Sequence, residues 1–434
     1  MKTTVIYATF DGVTTMQHGI GTQARAFVSA LAEIELAGEI EVTVAYPEPL
    51  SDCVGYVRSA DVHAATVEAC RAAGVGLTPL RFENARLWQQ GAWLEICTSL
   101  VRVIGELREQ GRRVVVLAVD AVFTPLSTLT AAAFGRDEQL DLVHVLYSSA
   151  RVEGAKRDPM REAWEQIAIT SVNDREGNHI AGIGSSFTAH LRDAYGLLAD
   201  PIPFRQSVAL SDPELAPLDT ESASGILQRA HIPQERPLVV AAARSDPIKG
   251  LQDMADALHL VDSDVLFVVI AVPYHEEDPH LAALASKLEA SGRDYVLISH
   301  FDRALLRALS STALTKALVV PSRGEPVGMA PQEVALWAHR FGPVVVASDC
   351  DGLAEQIDHG ADGFLFAPGD AEAMAAAIDL AVTLDEEHHS RMRRQLAQRV
   401  ARERDFVENL SGLFEALDIR GRRRSPREDE ETIR

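Results

Sequence analysis

The chain has 434 residues, 47% hydrophobic and 24% charged, the balance of a folded globular protein with room for two domains of roughly 200 residues each. Lys and Arg number 41 against 63 Asp and Glu, a formal net charge of −22. This excludes a broad nucleic-acid- or anionic-membrane-tracking surface, which needs concentrated cations.

In chain order, the apolar run Thr4–Thr9 reads as a buried parallel strand, followed by a Gly-bearing loop and a helix over Thr22–Ala37. Strands are predicted at Val42–Ala45, Val114–Val119, Leu142–Leu146 and Ile180–Ile183, with helices at Trp93–Gln110 and Pro159–Ile169 between them. From Pro201 to Pro237 six prolines mark a connection between domains. The alternation restarts with strands at Leu238–Ala243, Val265–Val272, Tyr295–Ile298, Leu318–Val320 and Val344–Ala347. Helices at Leu251–Val261, Pro279–Ser291, Ala304–Leu309, Ala330–Ala338 and Ala371–Leu384 fill the gaps, and a charged helical stretch runs to Leu417. Two successive βα alternations predict two doubly wound, Rossmann-like α/β sheets, with ligand loops at the strand carboxyl ends lining a central cleft. The expected domains are residues 1–205, residues 206–402, a helix over 403–419 crossing back to the first domain, and a disordered tail over 420–434.

The longest apolar run, Val265–Val272, is far short of the ~18 residues of a membrane span, and Met1–Tyr7 has no apolar stretch of signal-peptide kind. Cys53, Cys70, Cys97 and Cys350 lack metal-knuckle or redox-pair spacing. A cytoplasmic protein with reduced thiols, no integral membrane association and no nucleic-acid partner is expected; a homodimer is compatible with the sequence.

Three clusters carry chemistry. Glu325-Pro-Val-Gly-Met-Ala-Pro-Gln-Glu333 follows the strand Leu318–Val320. A helix starting at Met329 or Ala330 accommodates Pro331 in its first turn, and its free amides favour an anion. Gly328 permits close backbone approach, while Glu325 and Glu333 can each take hydroxyls of one polyol. Alone, they read equally well as a loop charge and a helix-surface charge. Arg244 and Lys249 lie five residues apart in the loop after Leu238–Ala243, a fork and a point charge suited to a diphosphate. Gln17-His18-Gly19-Ile20-Gly21-Thr22 enters the first helix with two glycines, a tight turn by itself; Ala24 breaks the dinucleotide-binding glycine fingerprint.

These segments, with Ala181–Gly196 and Val344–Gly369, resemble the retaining family 4 glycosyltransferases of the GT-B fold in order over Thr4–Leu417. The resemblance implies that Arg244 and Lys249 neutralise a nucleoside diphosphate leaving group. By the same resemblance Glu325 contacts the donor sugar, Glu333 holds the ribose hydroxyls, and Gly328 and Met329 supply backbone donors. Gly19 and Gly21 match the glycine loop that approaches the diphosphate, and the loop holding His300 frames the base. Departures are Asp120 where relatives often carry His-x-His, Tyr147 in place of a sugar-contacting His, and Pro203-Phe-Arg-Gln-Ser207 in place of a Pro-Asn-Gly linker. His144, three residues before Tyr147, reads as buried structure. The implied activity is hexosyl transfer from a UDP- or GDP-sugar to a small polar or glycosidic acceptor, metal-independent and with no cofactor beyond the donor. A nucleotide-sugar epimerase, a glycan phosphorylase and a non-catalytic sugar-nucleotide-binding subunit remain open.

Overall fold

The computed structural model of the protein describes residues 1–15, 19–152, 158–273 and 278–424. The chain begins with β1 (Thr3–Ala8), α1 (Gly19–Glu33), β2 (Ile34–Leu36), β3 (Ile40–Pro49), α2 (Ala60–Ala73), β4 (Gly76–Phe82) and α3 (Gln90–Glu109). There follow β5 (Arg113–Val119), α4 (Leu126–Phe134), β6 (Leu140–Val145), α5 (Pro159–Asp174), β7 (Asn178–Gly182), α6 (Ser185–Tyr195) and β8 (Ile202–Pro203). The second half comprises α7 (Thr220–Arg229), β9 (Leu238–Arg244), α8 (Leu251–Ala257), β10 (Leu266–Val272), α9 (Pro279–Ala290), β11 (Tyr295–Ile298), α10 (Arg303–Ser310) and β12 (Thr315–Val320). It continues with α11 (Ala330–Ala338), β13 (Val344–Ser348), α12 (Asp351–Ala354), β14 (Phe364–Phe366), α13 (Ala371–Thr383) and α14 (Glu386–Glu403), before α15 (Phe406–Ala416) and β15 (Gly421–Arg423).

Two units result: described residues 1–209 with 405–424, and residues 210–404. The first holds a seven-stranded sheet of order β4-β3-β1-β5-β6-β7-β8, parallel throughout. The second holds a six-stranded sheet of order β11-β10-β9-β12-β13-β14, also parallel throughout. Parallel strands covered by helices on both faces must be apolar along their whole length. Val114–Val119 and Val344–Ser348 are buried end to end, which is why their Val-rich runs are readable as strands. Strand order reverses at β1/β5 in one sheet and at β9/β12 in the other, so the carboxyl ends of these strands are the natural ligand edges.

Several boundaries differ from expectation. The first helix begins at Gly19, not Thr22, and ends at Glu33, because Ile34–Leu36 leaves the helix to pair as a short strand. The proline-rich connection contains a full helix, α7, N-capped by Asp219, whose carboxylate accepts the Ser222 N–H at 2.8 Å. The charged helical stretch breaks at Arg404–Asp405, where Asp405 caps α15 by accepting the Val407 N–H at 2.9 Å. The expected tail is corrected over its first residues. Gly421–Arg423 pairs antiparallel with Ile34–Leu36, and Arg423 spans Asp405 at 3.1 Å and Glu408 at 2.7 Å, so charge pairing orders a segment that composition reads as disordered. Residues 425–434 lie outside the described residues. No described helix is long and apolar enough to cross a membrane.

Candidate active site

In the second unit, the loops after β9 and β12 lock together at the switch point. β9 delivers Arg244 at its last position, and Pro247–Lys249 forms a 3-10 turn ending at Gly250, φ 68°. A Cβ on Gly250 would lie 1.8 Å from the Pro321 carbonyl oxygen, so only glycine permits this approach. The Arg323 N–H donates to the Ile248 carbonyl at 2.7 Å, tying the loops again. The clamp brings the Lys249 ammonium onto a Glu325 carboxylate oxygen, both groups largely buried. Arg244 pairs with Asp246 at 3.1 Å.

A third loop, after β13, supports Glu325 from below. Its backbone N–H donates to Asp351 Oδ2 at 3.1 Å, and its carbonyl accepts the Gly352 N–H at 3.0 Å. Asp351 sits at φ 40°, a left-handed conformation rare for a side-chain-bearing residue. A Cβ on Gly352 would meet the Pro326 oxygen at 2.2 Å. Burial, then the Asp351 and Glu325 charges, push the neighbouring Cys350 thiol up to about 12, against the pull of Lys249. That thiol stays protonated, and its shift registers the carboxylates gathered around it.

Gly328, φ 86°, lies where a Cβ would touch Glu325 Cγ at 2.9 Å. Met329 is the N-cap of α11, with Pro331 in the first turn. The positive end of this helix suits an anion. Glu333 lies on the same turn. Its Oε1 accepts from Arg303 at 2.7 Å, a partner that no sequence spacing announces. His300 is exposed in the loop after β11.

The first unit carries the other expected residues. Gly19 and Gly21 lie within the first turns of α1, not in a preceding tight turn, and Gln17 and His18 lie outside the described residues. Gly21 is where the Gly12 backbone passes; a Cβ on Gly12, φ 93°, would meet the Gly21 oxygen at 2.7 Å. Asp120 directly follows β5, buried and at φ 65°, its N–H donating to the Val145 carbonyl at 2.8 Å. Tyr147 donates its hydroxyl to Gln23 Oε1 at 3.2 Å. Burial first, then the neighbouring Tyr7 and Asp120, hold the Tyr147 phenol well above its ordinary range, so it acts as a neutral hydrogen-bonding group. His144 is fully buried with Nε2 2.6 Å from Ser127 Oγ, a core histidine as the sequence reads it.

Residues 226–399 match the family model described as Glycosyl transferases group 1. A glycogen synthase from Pseudomonas syringae pv. syringae is 31% identical over 146 residues, 33% of this chain and 28% of that protein. The chain thus spans under a third of the length of the curated relatives it matches first. Among solved structures, sucrose-phosphate synthase from Thermosynechococcus elongatus superposes with TM-score 0.70 at 16% identity, covering 96% of this chain and 99% of that one. HepE from Anabaena, in complex with UDP and glucose, gives TM-score 0.68 at 14% identity, covering 96% and 99%. The E. coli trehalose-6-phosphate protein bound with UDP-2-fluoro glucose gives 0.66 at 11%, covering 96% and 100%. The match to the glycosyl transferases group 1 model is thus confined to residues 226–399, while the likeness to these solved structures extends over the chain and shows its fold, GT-B with two Rossmann-like units.

Proposed function

We propose that the protein is a retaining hexosyltransferase that moves a sugar from a nucleoside diphosphate sugar to a hydroxyl of a small polar or sugar-like acceptor, without a metal. The observation that carries this is the Lys249–Glu325 ion pair, held where the second sheet reverses its strand order and inside the matched segment. Breaking an anomeric bond to a diphosphate builds negative charge on the leaving oxygen and positive charge on the sugar. Fixed cations and amides lower that barrier only if they stand where the charge grows. Arg244 and Lys249 are assigned to the diphosphate, with the amides at Gly328 and Met329 beside them. In this reading a phosphate oxygen takes over Lys249 and releases Glu325 toward the sugar hydroxyls. Glu333 is assigned to the ribose, and His300 to the loop framing the base. Gly19 and Gly21 are assigned to the diphosphate, and Asp120 and Tyr147 to the reacting sugar and acceptor.

Two structural neighbours were solved with UDP, or with a UDP-sugar analogue, which makes UDP-glucose the first donor to test and GDP-mannose the second. Calorimetric titration with UDP, GDP and ADP should show saturable binding of one of them, lost in Lys249→Ala. Turnover is then read as nucleoside diphosphate released only when acceptor is added, in the presence and absence of EDTA. NMR of the product anomer fixes the stereochemistry. An inverted product overturns the retaining assignment, EDTA-sensitive turnover overturns metal independence, and the absence of any nucleotide binding overturns the whole reading.

A further inference from the structure

Arg303 is the first residue of α10 and is held from three sides. Its Nη2 donates to Glu333 Oε1 at 2.7 Å, and its Nη1 donates to the Glu214 carboxylate. Its guanidinium carbon stands 5.6 Å from the centre of the Trp337 ring. Trp337 is itself fully buried and anchored, its indole N–H donating to the Glu214 carbonyl at 2.8 Å. Glu214 arrives on a short turn that Arg307 grips through the Ala216 carbonyl at 2.8 Å and the Pro213 carbonyl at 3.0 Å. Asp302 caps the helix, accepting the Leu305 N–H at 3.1 Å, so the backbone of Arg303 is fixed as well.

A glutamate has rotatable side-chain bonds and swings freely unless tethered, and ordering it at the moment of binding weakens affinity. A guanidinium occupying one carboxylate oxygen removes much of that freedom and leaves acceptor capacity on the carboxylate. It also offsets the Glu333 charge, which would otherwise repel a polyanionic ligand nearby. We propose that Arg303 is a positioning residue for nucleotide binding. It orients the Glu333 carboxylate so that this group accepts hydrogen bonds from the ribose hydroxyls of the donor. The proposal rests on the function proposed above and adds a residue and a specificity to it. Glu214 shares the guanidinium and acts as the far anchor of the relay.

The test compares calorimetric affinities of wild type, Arg303→Ala, Arg303→Lys and Glu333→Gln for UDP and for 2′,3′-dideoxy-UDP, or for the GDP pair where the wild type prefers guanine. Arg303→Ala should weaken the ribonucleotide about tenfold and the dideoxy form no more than about twofold, because the lost interaction is a charge-assisted hydrogen bond to the ribose. Arg303→Lys should recover part of the loss, since it keeps the charge but not the fork. On the Glu333→Gln background, Arg303→Ala should add little, the mark of two residues acting as one. Where Arg303→Ala melts early, Glu214→Ala carries the comparison, with about a threefold weakening confined to the ribonucleotide. Equal weakening of both nucleotides, or none, overturns the positioning role while leaving the function intact. A wild type that binds none of the four nucleotides overturns both.

Discussion

Lys249 and Glu325 occupy each other, and the consequence differs for the two substitutions. On the function proposed above, Lys249→Ala removes a cation assigned to the leaving group and leaves a largely buried carboxylate without it. Turnover of the donor sugar is expected to fall about 100- to 1,000-fold, with a further loss of nucleotide affinity. Glu325→Gln frees the ammonium, so nucleoside diphosphate affinity should hold or rise while kcat falls. Steady-state kinetics beside calorimetry separates the two. A second residue-scale expectation concerns His144. Burial pushes its imidazole down to about 4 from the ordinary 6.5. The unfolded chain therefore takes the proton first, and stability is lost as pH falls from about 6.5 toward 4. This histidine alone should cost about 2 kcal/mol between pH 7.5 and pH 5. Denaturant midpoints of wild type and His144→Gln across that range should converge at the acid end; parallel curves would remove the role.

At the scale of elements, the loop clamp is the feature most sensitive to a single atom. Gly250→Ala combines a left-handed backbone with a 1.8 Å approach to the Pro321 oxygen. The β9 and β12 loops must separate, and a loss of at least ~2 kcal/mol follows from strain and clash together. The second unit should melt about 4–8 °C lower, and nucleotide binding should drop with it. Gly292→Ala is the control: its φ is 67°, but nothing lies within 4 Å of the added atom, so only the backbone strain of about 1 kcal/mol remains. The same contrast explains what the sequence makes legible. Apolar runs such as Leu238–Ala243 must be buried parallel strands, and the loops behind them mark Arg244, Lys249 and Glu325 as candidate site residues. β4 escapes notice because it lies at the sheet edge, where Pro79 and Arg81 are tolerated. α2 escapes because it buries only Thr66 and Cys70, too little for a periodic signal. Arg303 and Asp351 act across elements distant in the chain, and local pattern carries no trace of such contacts.

At the scale of the molecule, the first unit is completed by the chain's return. Phe406, Val407, Leu410, Leu413, Phe414, Leu417 and Ile419 are each at most 4% exposed. Phe406 stands edge-on to Phe204 at 5.6 Å, and its N–H donates to the Val208 carbonyl at 3.0 Å. Arg113, at the start of β5, donates to the Leu417 carbonyl at 2.7 Å while paired with Asp141 at 2.8 Å. Seven buried apolar side chains are worth about 10–20 kcal/mol of transfer free energy, as much as the entire net stability of a typical domain, about 5–15 kcal/mol. The β15 pairing with β2 is of another order, three exposed residues joined by backbone hydrogen bonds and surface ion pairs, worth about 1–2 kcal/mol. Two truncations should therefore part sharply. A chain ending at Ile419 should keep both melting transitions, with the first unit slightly weakened. A chain ending at Arg404 should lose the cooperative transition of the first unit and expose it to protease, while residues 210–404 still melt as a unit and still bind nucleotide. Differential scanning calorimetry with limited proteolysis reads both outcomes. A first unit that melts normally without residues 405–424 would show that its core closes without the returning helix.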